Sequence, residues 1–216
     1  DEVATIVRTA AAAGERVKVI GGGHSFTDVA MTDGHLLSLD AMNQILSVHG
    51  NDVTVQAGIR LRDLNDQLYE RGLALPNLGD INVQSIAGAT STATHGTGIG
   101  FGNLATTIVG LEIVTGDGTI LRADEEHEPE LLRVARVGLG ALGILTEVTL
   151  RCVPAFNLRA VETIEPLAEG ELAEDDGSLG EDLGVHLGRR ADRRDDEVVD
   201  EDRGAHRRDD EVEEGR

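Results

Sequence analysis

A change of character at Pro166 limits what this chain can fold into more than any other feature. Residues 166–216 hold 19 acidic and 8 basic side chains, a net of −11, with no aromatic residue and runs such as Arg193-Arg194-Asp195-Asp196-Glu197. Such a segment cannot bury enough apolar surface to offset the entropy of ordering it, so disorder is expected. Two origins fit this composition: a gene read in a shifted frame, or a genuine tail that binds a partner. A folded domain must come from residues 1–165, and the 40% hydrophobic content of the chain is enough for an ordinary core.

The net charge of −21 argues against a general attraction to nucleic acid or to an anionic membrane. Any anionic ligand must therefore be held by local geometry. Cys152 is the only cysteine, which excludes an internal disulfide, and its place in Thr149-Leu150-Arg151-Cys152-Val153 points to a small buried thiol. The acidic start lacks the pattern of a secretory leader, and no run of about 18 apolar residues occurs. The cytoplasm is the expected compartment.

Residues 1–165 read as alternating helices and strands punctuated by glycine, an α+β pattern. Val3, Ile6, Val7 and Ala10 lie at helical spacing before Gly14, and residues 17–20 form a short apolar strand. Residues 36–39 and 53–57 read as strands, while Leu61, Leu64 and Leu68 mark a helix stopped by Gly72. Gly116-Asp117-Gly118 predicts a hairpin between residues 107–115 and 119–122. Pro129 suits the first turn of a helix reaching Arg136, and residues 144–153 alternate as a strand.

Three glycine segments could approach a phosphate-rich ligand. In Gly21-Gly22-Gly23-His24-Ser25-Phe26, directly after a strand, the backbone can turn tightly and aim successive N–H groups at a pyrophosphate, with the Ser25 hydroxyl as a further donor. A plain turn ending the strand is the bland reading. Residues 79–98 are almost all small or hydroxyl-bearing, which lets backbone approach a flat aromatic ligand closely. A flexible linker is the alternative, weighed down by Ile81, Val83, Ile86 and Ile99, which imply burial. The third, Gly138-Leu139-Gly140-Ala141-Leu142-Gly143, matches the dinucleotide fingerprint in letters, but a helix precedes it and a strand follows, the reverse of what that fingerprint needs. A nicotinamide-dependent dehydrogenase of Rossmann type is therefore disfavoured. A glycine loop lining a pocket and a simple turn both remain open.

Taken in this order, these segments resemble the PCMH-type FAD-binding domain of the vanillyl-alcohol-oxidase family. The likeness spans about residues 2–161, and residues 17–33, with Gly21-Gly22-Gly23-His24-Ser25-Phe26-Thr27-Asp28, are most similar to gulonolactone, arabinonolactone and alditol oxidases. Leu75-Pro76-Asn77-Leu78-Gly79, Thr94-His95-Gly96-Thr97-Gly98 and Leu139-Gly140-Ala141-Leu142-Gly143 add independent matches. The resemblance implies an α+β fold of two subdomains clamping FAD, with Gly21, Gly22, Gly23, His24, Ser25 and Phe26 around the pyrophosphate and His24 bonded to the 8α-methyl carbon of the flavin. It implies flavin contacts at Gly79, Asp80, Ser85, Gly88, Thr92, Ala93, Thr94 and His95, and further cofactor contacts at Gly143 and Ile144. A carboxylate near the flavin would disfavour its reduced anion, so Asp80 is expected to point away or to bind a ribityl hydroxyl. His95 fits equally a histidine hydrogen-bonded within its own loop.

The activity that the resemblance implies is oxidation of a CH–OH group in a sugar lactone or polyol, with dioxygen as acceptor and hydrogen peroxide as product. A substrate-covering cap and a C-terminal segment carrying the substrate-binding side chains are normal in this group, and neither is recognisable here. No catalytic residue is assigned for that reason. An inactive or regulatory flavin-binding module whose acidic tail recruits a partner is the alternative.

Overall fold

The computed structural model describes residues 2–158; the predicted tail lies outside them. Helix α1 (Glu2–Ala13) buries Val3, Ala4, Val7 and Ala10 on one stripe. It ends at Gly14, whose φ of +70° suits a residue without Cβ. Strand β1 (Val17–Ile20) pairs in parallel with β2 (His35–Ser38), and these four-residue strands make a sheet of their own.

The larger sheet contains β3 (Ile45–His49), β4 (Asp52–Gln56), β6 (Ile108–Val114), β7 (Ile120–Asp124) and β8 (Ile144–Arg151), antiparallel throughout in the order β3-β4-β8-β6-β7. A third, two-residue pairing joins β5 (Leu73–Ala74) to β9 (Val153–Pro154). Register puts Val53, Val55, Leu111, Ala123, Val148 and Leu150 on one buried face, as period-two alternation requires.

On the opposite face Gln56, Glu147, Glu112 and Arg122 form a polar row across four neighbouring strands. The buried Glu112 carboxylate accepts from Arg122 at 2.5 Å and from the Thr146 hydroxyl at 2.8 Å. Burial, then the charge of Glu112, pushes the Glu147 carboxyl above its ordinary range.

Helix α2 (Leu61–Tyr69) buries Leu61, Leu64 and Leu68, and Gly72 follows with φ +72°. Helix α4 (Pro129–Ala135) has its proline in the first turn. Between Val114 and Ile120 the Asp117 carboxylate accepts from the Thr119 amide at 2.9 Å and from the Thr115 hydroxyl at 2.5 Å, and Gly118 takes φ +79°. The predicted hairpin therefore closes as read. Arg8 of α1 donates to the Gly118 carbonyl at 2.8 Å, which docks α1 on this turn. Cys152 is buried, and burial with the nearby Asp52 charge pushes its thiol up to about 12.

Two expectations for residues 79–98 change. Helix α3 (Ile86–Ser91) buries Ile86, Ala87, Ala89 and Thr90, so a central part of this small-residue stretch is helix packed into the core. Ile81, Val83 and Ile99 are exposed rather than buried, at 43%, 42% and 76%. Around the first two the backbone is paired without burial of the side chains: Leu61 N–H donates to the Gln84 carbonyl and Arg62 N–H to the Asn82 carbonyl.

Candidate functional site

A cavity of about 570 Å³ lies between the small parallel sheet and the large antiparallel one, within the usual range for cofactor sites. One wall is β1 and the turn after it. The opposite wall combines α3, the end of β6 and residues 138–145.

Gly21, Gly22, Gly23, His24 and Ser25 all line this cavity. Among the described residues, no amide N–H from Gly21 to Phe26 donates a hydrogen bond within the protein. Backbone donors without an internal acceptor must be satisfied by water or ligand, and those of Gly21 to Ser25 border the cavity. The three glycines are needed for different reasons. Of these three, Gly23 alone has positive φ, at +64°. At Gly21 a Cβ would sit 2.1 Å from Ser85 Oγ, and at Gly22 it would sit 2.8 Å from Arg60 Nη1 and 2.9 Å from both Gln84 Cα and the Val83 carbonyl oxygen. Close approach to residues 83–85, more than tight turning, fixes the first two.

His24 stands at the cavity wall in an edge-on contact with Phe26, ring centres 5.6 Å apart and planes at 71°. Phe26 itself is 94% exposed and does not line the cavity. From α3 and its end the cavity receives Gly88 and Thr92, and the Thr92 hydroxyl donates to the Gly88 carbonyl at 2.9 Å. Gly143 and Ile144 close the far end, and a Cβ on Gly143 would meet the Val114 carbonyl oxygen at 2.2 Å, so this loop lies directly on β6.

The remaining candidates sit behind or beside this space. Ser85 is fully buried and caps α3, its hydroxyl oxygen accepting from Gly88 N–H at 3.2 Å. Ala93 holds an unusual φ of +54°, a conformation that costs about 1 kcal/mol without glycine. Thr94 accepts from Gln84 Nε2 at 3.1 Å. His95 Nδ1 lies 2.7 Å from the Gly96 carbonyl oxygen, a contact within its own loop. Asp80 is exposed, and Gly79 has no positive φ, with its notional Cβ 3.1 Å from the His95 carbonyl oxygen. Gly79, Asp80, Ser85, Ala93, Thr94 and His95 do not line the cavity.

Several lining residues carry no motif. Gln84 borders the space while its side-chain carbonyl oxygen is buried without a partner. Thr115 and Gly116 reach it from the hairpin, directly after the end of β6 that lines the cavity. Lys18, the single lysine of the chain, lies on its rim with Glu15, which contacts His35 Nε2 at 2.5 Å. Alternation along β1 could have suggested Lys18, and Gln84 lies within the 79–98 stretch already read as able to approach a ligand; nothing in the sequence marks Thr115 and Gly116 as site residues.

The FAD binding domain family matches residues 1–124. L-gulono-1,4-lactone dehydrogenase of Mycobacterium tuberculosis is 45% identical over 170 residues, covering 78% of this chain and 39% of that protein. L-gulonolactone oxidase of Bos taurus is 45% identical over 161 residues, covering 74% and 37%. D-arabinono-1,4-lactone oxidase of Eremothecium gossypii is 42% identical over 170 residues, covering 76% and 32%. The chain thus spans under two fifths of the length of these relatives. A His121Ala mutant of cholesterol oxidase from Brevibacterium sterolicum shares the fold with TM-score 0.62 at 21% identity, covering 71% of this chain and 32% of that one. With more than half its residues matched, the chain belongs to the FAD-binding domain family of flavoproteins.

Proposed function

We propose that this chain is the flavin-binding half of an oxidoreductase acting on a CH–OH group of a sugar lactone or polyol. The single observation carrying the reading is the row of amide donors from Gly21 to Ser25, without internal acceptors, along a cavity between the two sheets. A pyrophosphate fits such donors in an otherwise acidic chain, because it needs local geometry rather than net charge. The names of the relatives support lactone chemistry, and since they include both oxidases and a dehydrogenase, the choice of dioxygen as acceptor, with hydrogen peroxide as product, is part of the proposal.

FAD, when bound, supplies the acceptor for the hydride of the substrate C–H bond and passes the two electrons onward. The protein's share is binding and orientation. Gly21, Gly22, Gly23 and Ser25 would hold the pyrophosphate, and Gly88, Thr92, Gly143 and Ile144 would line the rest of the space the cofactor takes. Gly79, Asp80, Ser85, Ala93, Thr94 and His95 shape the segment behind it, with Ser85 and Thr94 acting through α3 and Gln84. His24 would carry the cofactor through a bond from an imidazole nitrogen to the 8α-methyl carbon, the imidazole N–H and one methyl C–H losing their hydrogens to dioxygen, which would leave as hydrogen peroxide. Its place at the cavity wall supports that role.

The test is the purified chain with FAD, precipitated in acid, beside His24→Ala. Yellow colour retained in the parent pellet and lost from the variant pellet, with reversible binding kept by both, is the expected result. Equal acid-stable flavin in the two removes His24 from the role, and no binding by either removes the flavin reading.

A further inference from the structure

We infer that Arg60 is a positioning residue for the pyrophosphate-binding loop, acting from behind Gly22; this rests on the FAD reading above. Arg60 is not among the residues that line the cavity. It is the residue immediately before α2, and its backbone bridges to Ser85. Its side chain, only 23% exposed, reaches three separate segments. Nη1 donates to the Val83 carbonyl at 3.1 Å, Nη2 donates to Asp40 Oδ1, and Nη1 lies 2.8 Å from where a Gly22 Cβ would stand.

The geometry makes this guanidinium a strut between the two walls. Asp40 follows the small parallel sheet, Val83 belongs to the segment leading into α3, and Gly22 is the second residue of the donor loop. A planar guanidinium holding two acceptors at fixed angles sets their separation in a way that a lysine ammonium cannot. The glycine at position 22 is what lets the loop rest on this group. Arg60 thereby fixes the height at which the loop amides face the cavity, with its charge held behind the loop by Asp40.

The role predicts a selective loss. In the 216-residue chain, Arg60→Met should weaken FAD and ADP about tenfold, the size of one good charge-assisted contact, while riboflavin, which has no diphosphate, binds as in the parent. Arg60→Lys should recover only part of the loss, since it keeps charge without the fork. Asp40→Asn leaves the cation in place and should cost less, and the Asp40→Asn/Arg60→Met pair should be no weaker than Arg60→Met alone. Fluorescence titration with the three ligands, beside thermal melting of each ligand-free variant, reads all of this. Uniform loss for FAD, ADP and riboflavin in step with lost stability would make Arg60 merely structural and overturn the inference, as would unchanged binding. Should Arg60→Met fail to fold, an Asp40→Asn variant without selective loss for FAD and ADP overturns it. A parent chain that binds riboflavin but neither FAD nor ADP defeats the flavin reading itself.

Discussion

Gly21→Ala tests whether the first glycine of the donor loop is dictated by packing. Its φ lies outside the left-handed region, so the alanine backbone is allowed and the whole cost must come from contact. The new Cβ would stand 2.1 Å from Ser85 Oγ and 3.3 Å from Ser85 Cβ, so the hydroxyl has to leave. Leaving breaks its bond with Gly88 N–H and uncaps α3, at about 1 kcal/mol. Crowding the remaining contact adds about 1–3 kcal/mol, giving a total of about 2–4 kcal/mol, a large share of ordinary domain stability. Urea denaturation of the ligand-free chain measures it, with Gly100→Ala as control: no atom lies within 4 Å of that Cβ and its φ is not positive. The discriminating variant is Gly21→Ala/Ser85→Ala. Removing the hydroxyl first should absorb most of the penalty, leaving a coupling of at least about 1 kcal/mol between the two sites. A loss below about 0.5 kcal/mol for Gly21→Ala, or two additive changes, would refute the packing argument.

Local chemistry sets three further outcomes. The Asp117 carboxyl, held down to about 2 by its bonds to Thr115 and Thr119 against an ordinary 3.8, contributes stability that is present above 3.8 and lost as pH falls toward 2. Asp117→Asn should flatten the unfolding free energy against pH in that window, and an unchanged slope would contradict this assignment. The Cys152 thiol, raised to about 12, should resist iodoacetamide at pH ~9 in the folded chain and react at once in urea, as mass spectrometry can follow. Gly79→Ala should fold, because its φ is ordinary and the Cβ meets the His95 carbonyl oxygen at 3.1 Å, a contact relieved by a shift of a few tenths of an ångström.

Elements with strong periodicity and clear ends were legible. Leu61, Leu64 and Leu68 with Gly72 define α2, and Gly116-Asp117-Gly118 defines the hairpin, because each depends on near neighbours. Helix α3 was hidden, since Ile86-Ala87-Gly88-Ala89-Thr90-Ser91 has one large apolar side chain and owes its form to burial of small ones. Strand β3 was hidden by the irregular pairing between Ile45 and Ser47, which breaks simple alternation. The donor loop and the far loop were legible as glycine patterns. Their partners were not: Arg60 meets Gly22, Ser85 meets Gly21 and Val114 meets Gly143 through approaches that only the assembled sheets create.

The four-residue parallel pair β1–β2 is below the size at which a sheet stands alone, whereas its counterpart across the cavity has five strands. Amide hydrogens on the two walls should therefore exchange by different openings, the β1–β2 wall through frequent partial ones and the five-stranded wall through rarer, larger ones. A dinucleotide lying between the walls must dissociate before they part. At a concentration about one hundred times its dissociation constant it would make such partings about a hundredfold rarer, yet leave fraying of the Gly50 turn between β3 and β4 untouched.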